Sequence, residues 1–176
     1  MGGSMSEVQT PPESHEFAQG IMGENFLGLA EVAKAFGPVS PEAQAALANI
    51  PFDEATLRSC RHAYVLVADI GLSIIDVRGR MKRGLFYTYD DAWYNDHAFA
   101  HHTEQVASWR LIRKTPVAKS ANRSWAEQSA LVGGEKIPPA RQVTYAIMAY
   151  YIRTIVTAKQ IPAVYSRTSA VPLPPS

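Results

Sequence analysis

The chain has 176 residues, 47% of them hydrophobic, and its 17 basic and 16 acidic side chains give a formal net charge of +1. That length supports one ordinary core, and the near-neutral balance gives no global electrostatic argument for nucleic acid, a membrane surface or an acidic partner. A single cysteine, Cys60, excludes an internal disulfide framework and a cysteine-rich zinc site.

Met1-Gly2-Gly3-Ser4 reads as an appended leader ahead of a native start at Met5. Ser6 to Glu16, with Pro11-Pro12, predicts a mobile tail, so residues 1–20 are set apart as tag and tail. Phe26, Leu29, Ala30, Ala33 and Phe36 recur at helical spacing and Gly37-Pro38 closes that helix. Ser40-Pro41 starts a second helix over Glu42 to Asn49, Pro51 breaks it, and Asp53 caps a third running to about Arg61.

His62 to Ile70, HAYVLVADI, is the strongest strand signal, and its unbroken apolar run predicts a central strand covered on both faces. In Leu72 to Met81, Ser73-x-x-Asp76 favours a helix although Ile74, Ile75 and Val77 suit a strand. Leu85 to Tyr89 predicts a short aromatic strand, and Asp90 or Asp91 opens a helix through His101 or His102. Ser108 to Leu131 is the organising block: a half-buried strand over 109–113, a stop at Thr115-Pro116, a polar loop, then a capping box at Ser124-Trp125-Ala126-Glu127. Gly133-Gly134 ends that helix. Pro138-Pro139 begins the longest helix, apolar around most of its circumference and running to about Ala158, and Ala163 to Thr168 suits a last strand. The predicted architecture is α+β: a small mixed β-sheet packed by a long buried helix and flanked by short N-terminal helices, one domain over 21–169, with a proline-rich tail at 170–176. No run reaches the roughly 18 apolar residues that span a bilayer, which predicts a soluble, cytoplasmic protein with no membrane partner.

Three stretches hold groups capable of chemistry. His97, His101 and Glu104 fall at i, i+4 and i+7, so a helix would stack two imidazoles and a carboxylate as ligands for zinc or another divalent metal, with Asp96 and His102 beside them. The plainer reading is a solvated helix end whose histidines favour the negative pole of the dipole, with no cofactor. Arg110, Arg113, Lys114, Lys119 and Arg123 place five cations in fourteen residues ahead of a helix start, an arrangement suited to an anion; Trp109 and Trp125 offer stacking platforms but are expected in the core. The overall charge argues against nucleic acid. Cys60, His62 and Asp69 do not have the spacing of a nucleophile system, and neither a G-x-S-x-G elbow nor a phosphate-binding glycine loop is present.

The blocks Trp109–Val117 (WRLIRKTPV), Trp125–Gln128 (WAEQ), Met22–Phe26 (MGENF) and Leu72–Arg78 (LSIIDVR) resemble a group of uncharacterised bacterial proteins, from about Ile21 to Thr168. The resemblance implies no assigned activity and transfers no functional residue. Relatives of that kind continue past Tyr165-Ser166-Arg167 into an end that looks C-type-lectin-like, where this chain runs into Val171-Pro172-Leu173-Pro174-Pro175. The resemblance thus implies a scaffold-like or partner-dependent subunit. The expectation is a non-enzymatic binding or assembly protein, acting through a protein partner or self-association; a metal-dependent enzyme or an anion binder are the alternatives.

Overall fold

A computed structural model describes residues 11–81, 85–86, 92–133 and 136–160, with backbone alone for 11–13 and 156–160. The first element is a helix, α1 (Pro11–Met22), where the sequence predicted a tail. Prolines at its first positions cost nothing, because the N–H groups there have no partner inside a helix. Ala18 and Met22, one turn apart, bury, and the His15 ring bonds the Leu47 carbonyl at 2.8 Å. A 3-10 turn at Gly23–Asn25 then leads into β1 (Phe26–Leu27). The helical spacing that began at Phe26 therefore spans two elements: Phe26 belongs to a strand and α2 (Leu29–Phe36) starts after Gly28. Glycine offers no capping side chain, and the Glu31 carboxylate reaches back to the Gly28 N–H at 2.9 Å.

α3 (Pro41–Ala46) is capped by Ser40 and stops short of the predicted Asn49; α4 (Glu54–Cys60) is capped by Asp53, whose Oδ1 accepts from the Thr56 N–H at 2.8 Å. β2 (Tyr64–Asp69) follows, buried from Val65 to Asp69 as its apolar run predicted. Ser73 and Asp76 then cap α5 (Ile74–Arg80) reciprocally, which decides the ambiguous stretch in favour of helix. Leu85 and Phe86 lie in a bend; the rest of the predicted aromatic strand, and Asp90 and Asp91, lie outside the described residues. The helix predicted to run to His101 or His102 is one turn only, α6 (Ala98–His101), preceded by turns in which Asn95 and His97 donate to Ala92 and Tyr94. His97 has extended backbone angles and cannot extend that helix backwards.

β3 (Ser108–Arg113), α7 (Trp125–Leu131, capped by Ser124) and α8 (Ala140–Gln160) complete the described elements, while the predicted strand at 163–168 lies outside them. The architecture is α+β with a mixed three-stranded sheet in the order β1-β2-β3. β1 runs parallel to β2; β3 runs antiparallel, from Tyr64↔Arg113 to Asp69↔Ser108. The Lys114 N–H donates to the Ala63 carbonyl, which fixes the phase of this ladder. Main-chain groups of Ser108, Arg110 and Ile112 turn toward β2, and those of Trp109 and Leu111 turn outward. Among the described residues no strand pairs with that outer edge.

α8 covers the sheet with Tyr145, Ala146 and Ala149 but leaves Ile147 and Tyr151 exposed. The Tyr145 hydroxyl donates to the Ala68 carbonyl at 2.7 Å and accepts from the Ile70 N–H at 3.3 Å, bridging the end of β2, and burial pushes its phenol well above its ordinary pKa. On the opposite face Trp109 packs against Phe26 and His15, its indole N–H donating to the Leu47 carbonyl at 3.0 Å. No described helix is long and apolar enough to cross a membrane.

Candidate functional site

Two features stand out: a buried charge cluster at one end of the sheet and an apolar groove beside β3. The cluster begins with Asp69, a carboxylate that ends an apolar strand and must find partners where water is excluded. Arg141, in the first turn of α8, supplies them. Its Nη1 and Nη2 meet Asp69 Oδ1 and Oδ2 at 3.1 and 2.6 Å in a two-pronged pair, and both side chains are 2% exposed. Nη1 also donates to the Leu72 carbonyl at 3.1 Å and Nη2 to Glu104 Oε1 at 3.2 Å, while Arg110 stands 3.6 Å from Asp69 and 3.8 Å from Glu104. Burial opposes the charge on Arg141, but the hydrogen bonds and charge of Asp69, then those of Glu104, outweigh it and hold the guanidinium above its ordinary value.

Gly71 closes this end of the molecule. It adopts φ +84°, its N–H bonds Asp69 Oδ1 at 2.9 Å, and its carbonyl accepts the Glu104 N–H at 2.9 Å. A Cβ there would stand 2.3 Å from the Glu104 carbonyl oxygen, so only glycine fits. Two carboxylates and two guanidiniums thus spend their charges on each other and tie the β2–α5 loop, the segment before β3 and α8 together.

This cluster takes Glu104 away from the predicted metal set. His97 packs against the rings of Trp93 and Phe99, His101 Nε2 lies 2.5 Å from the Asn95 carbonyl, and the helix ends before Glu104. His97, His101 and Glu104 are not brought together, and the described residues hold no group of three or more side chains spaced to ligate a metal. The five cations also diverge. Arg110 joins the buried cluster, the Arg113 guanidinium lies over the Tyr64 ring, and the Lys114 ammonium bonds Asn25 Oδ1 at 2.8 Å. Lys119 has positive φ, and Arg123 donates to its carbonyl and pairs with Glu127. Hydrogen bonds from Ser124 hold the Glu127 carboxyl below the usual carboxylate range, and the start of α7 is capped by that pair. Trp109 is in the core as expected; Trp125 is not, at 68% exposed.

The sequence reading overlooked the groove. It has a volume of about 470 Å³ and runs between the sheet, at Val65 and Ile112, and the flank of α8 that carries Val143, Ile147, Tyr151 and Thr154. Ile147 is 54% and Tyr151 40% exposed. Lys114 stands at its end, 5.5 Å over the Tyr150 ring. A second hollow, of about 260 Å³, shares Arg113 with the first and carries the surface on to Trp125, Lys136 and Ile137. The available signal was Val143, Ile147 and Tyr151 at i, i+4 and i+8. It was hidden because α8 is apolar on its other faces as well.

No protein-family model matches the chain, and no curated protein or solved structure shows significant similarity to it.

Proposed function

We propose that this protein is a non-catalytic docking protein that binds a polypeptide along the surface between β3 and α8. The observation that carries the reading is the 470 Å³ groove with Ile147 and Tyr151 standing in solvent along its wall. Large apolar side chains exposed in a row on a soluble fold mark a contact surface, because each forfeits burial that a partner would supply. The groove is lined mainly by apolar side chains, with Lys114 and Thr154 among its few polar ones, an arrangement that orients a bound chain. Trp125 and Ile137 extend the same surface, and exposed aromatics are the residues on which interfaces concentrate their energy.

The test is retention of an unbiased library of ten-residue peptides on the immobilised protein. Wild type is expected to retain peptides, and Ile147→Glu, which adds charge at an exposed position, to lose at least about tenfold of that binding with an unchanged unfolding midpoint. Equal retention by the two proteins overturns the reading.

A further inference from the structure

We propose that the occupant is an extended acidic segment, alternating Asp or Glu with apolar residues, that adds to the outer edge of β3 as a fourth strand beneath α8. This rests on the docking reading above and names its ligand class. Three observations support it.

The first is the main chain. The register of β3 turns the N–H and C=O groups of Trp109 and Leu111 away from β2, and among the described residues no strand takes them up. A strand edge of this kind binds extended peptide through main-chain hydrogen bonds and leaves specificity to alternate side chains.

The second is the reach of α8. Arg110 and Arg141 meet at Glu104 at one end, and Lys114 lies over Tyr150 at the other. Four residues of strand and nine of helix therefore cover the same length, about 13 Å by the rise of each, so α8 runs alongside β3. Its stripe at Val143, Ile147 and Tyr151 repeats about every 6 Å, close to the two-residue repeat of about 6.6 Å on an added strand. Every second side chain of that strand would meet one residue of the stripe.

The third is charge. The described residues lining the two hollows include Lys114 and Lys136 and no Asp or Glu. The chain as a whole is nearly neutral, so this face carries a local positive excess that favours carboxylates at the intervening positions.

The experiment compares two ten-residue libraries of extended, alternating peptides, one with Asp or Glu and the other with Lys or Arg at every second position, on wild type and on Ile147→Glu. The acidic library is expected to be retained at least about tenfold better, with the advantage shrinking as salt rises from about 0.05 to 0.5 M. With the best acidic peptide bound, the amides of Trp109 and Leu111 should gain hydrogen-exchange protection, and Ile147→Glu should abolish both effects. The proposal is overturned by equal retention of both libraries, or by binding that leaves the two amides unprotected. It is overturned as well if they are already protected in the peptide-free monomer, which gives the edge to the chain's own segments. Protection that rises with protein concentration alone gives it to a second copy. In any of these cases, loss of unbiased-library binding in Ile147→Glu would leave the docking reading standing, whereas failure of both libraries and of the unbiased one removes both.

Discussion

Asp69 and Arg141 show how much a single position can hold. Each is buried against the other, and removing one takes the two-pronged partner from the survivor in a medium that solvates it poorly. Asp69→Ala is therefore expected to lower unfolding free energy by about 3–5 kcal/mol in urea titration. The double variant Asp69→Leu/Arg141→Met should recover a large part of that loss, because it removes both charges and keeps the volume. A loss under about 1 kcal/mol in the single variant would mean that water reaches the pair. Glycines give a matched contrast. Gly71→Ala forces a Cβ onto the Glu104 carbonyl at positive φ and should cost about 1–3 kcal/mol. Gly20→Ala, inside α1 with nothing within 4 Å of the new methyl, should stabilise by about 0.4–1 kcal/mol. Asp53 gives the pH dependence: its bond from the Thr56 N–H holds its pKa below the usual carboxylate value. A group depressed in the folded state stabilises above its unfolded pKa and loses that contribution as pH falls through the folded value. The stability gap between wild type and Asp53→Asn should thus be open at neutral pH and close on acidification through that range.

At the scale of elements, the caps were the most legible feature. Ser40, Asp53, Ser73 and Ser124 start helices as predicted, because a cap is a local bond between a side chain and an amide two or three residues away. Ser73→Ala should cost about 1 kcal/mol by the same unfolding titration, since that hydroxyl is buried and bonded to both the amide and the carboxylate of Asp76. What failed locally was decided by distant residues. α1 reads as a tail in the sequence because its helicity depends on burying Ala18 and Met22 against elements far along the chain. Phe26 has helical spacing with Leu29, yet pairing with Leu66 makes it a strand. The candidate site was less legible still. His97, His101 and Glu104 share a face only on one continuous helix, whereas Glu104 leaves that segment for Arg141, 37 residues on. Nothing local to either residue encodes that contact, although Asp69 at the end of HAYVLVAD does announce that a buried carboxylate needs a cation.

At the scale of the molecule, net charge proved a poor guide to surface character. A formal +1 conceals an interior cluster whose charges cancel and two lysines, Lys114 and Lys136, beside the hollows. The three tryptophans report the same partition. Trp109 is enclosed while Trp93 and Trp125 are exposed, so acrylamide should quench two of three emitters readily, and Trp109→Phe should remove the protected component. If all three quench alike, the packing of Trp109 under Leu47 and Phe26 is wrong.

The bonds that hold α8 in place also set a schedule for synthesis. Arg141 answers Asp69 across 72 residues, Tyr145 bonds Ala68 across 77, and Arg153 bonds the Phe26 carbonyl across 127. A ribosome making this chain releases β1, β2 and β3 long before the helix that neutralises Asp69 and roofs the sheet. Until then the most apolar strand is unroofed and its Asp69 has Arg110 but not the two-pronged partner Arg141, and closure of such distant contacts is slow. Productive folding must wait for the last third of the polypeptide, and that interval is when the nascent chain most needs protection from its neighbours.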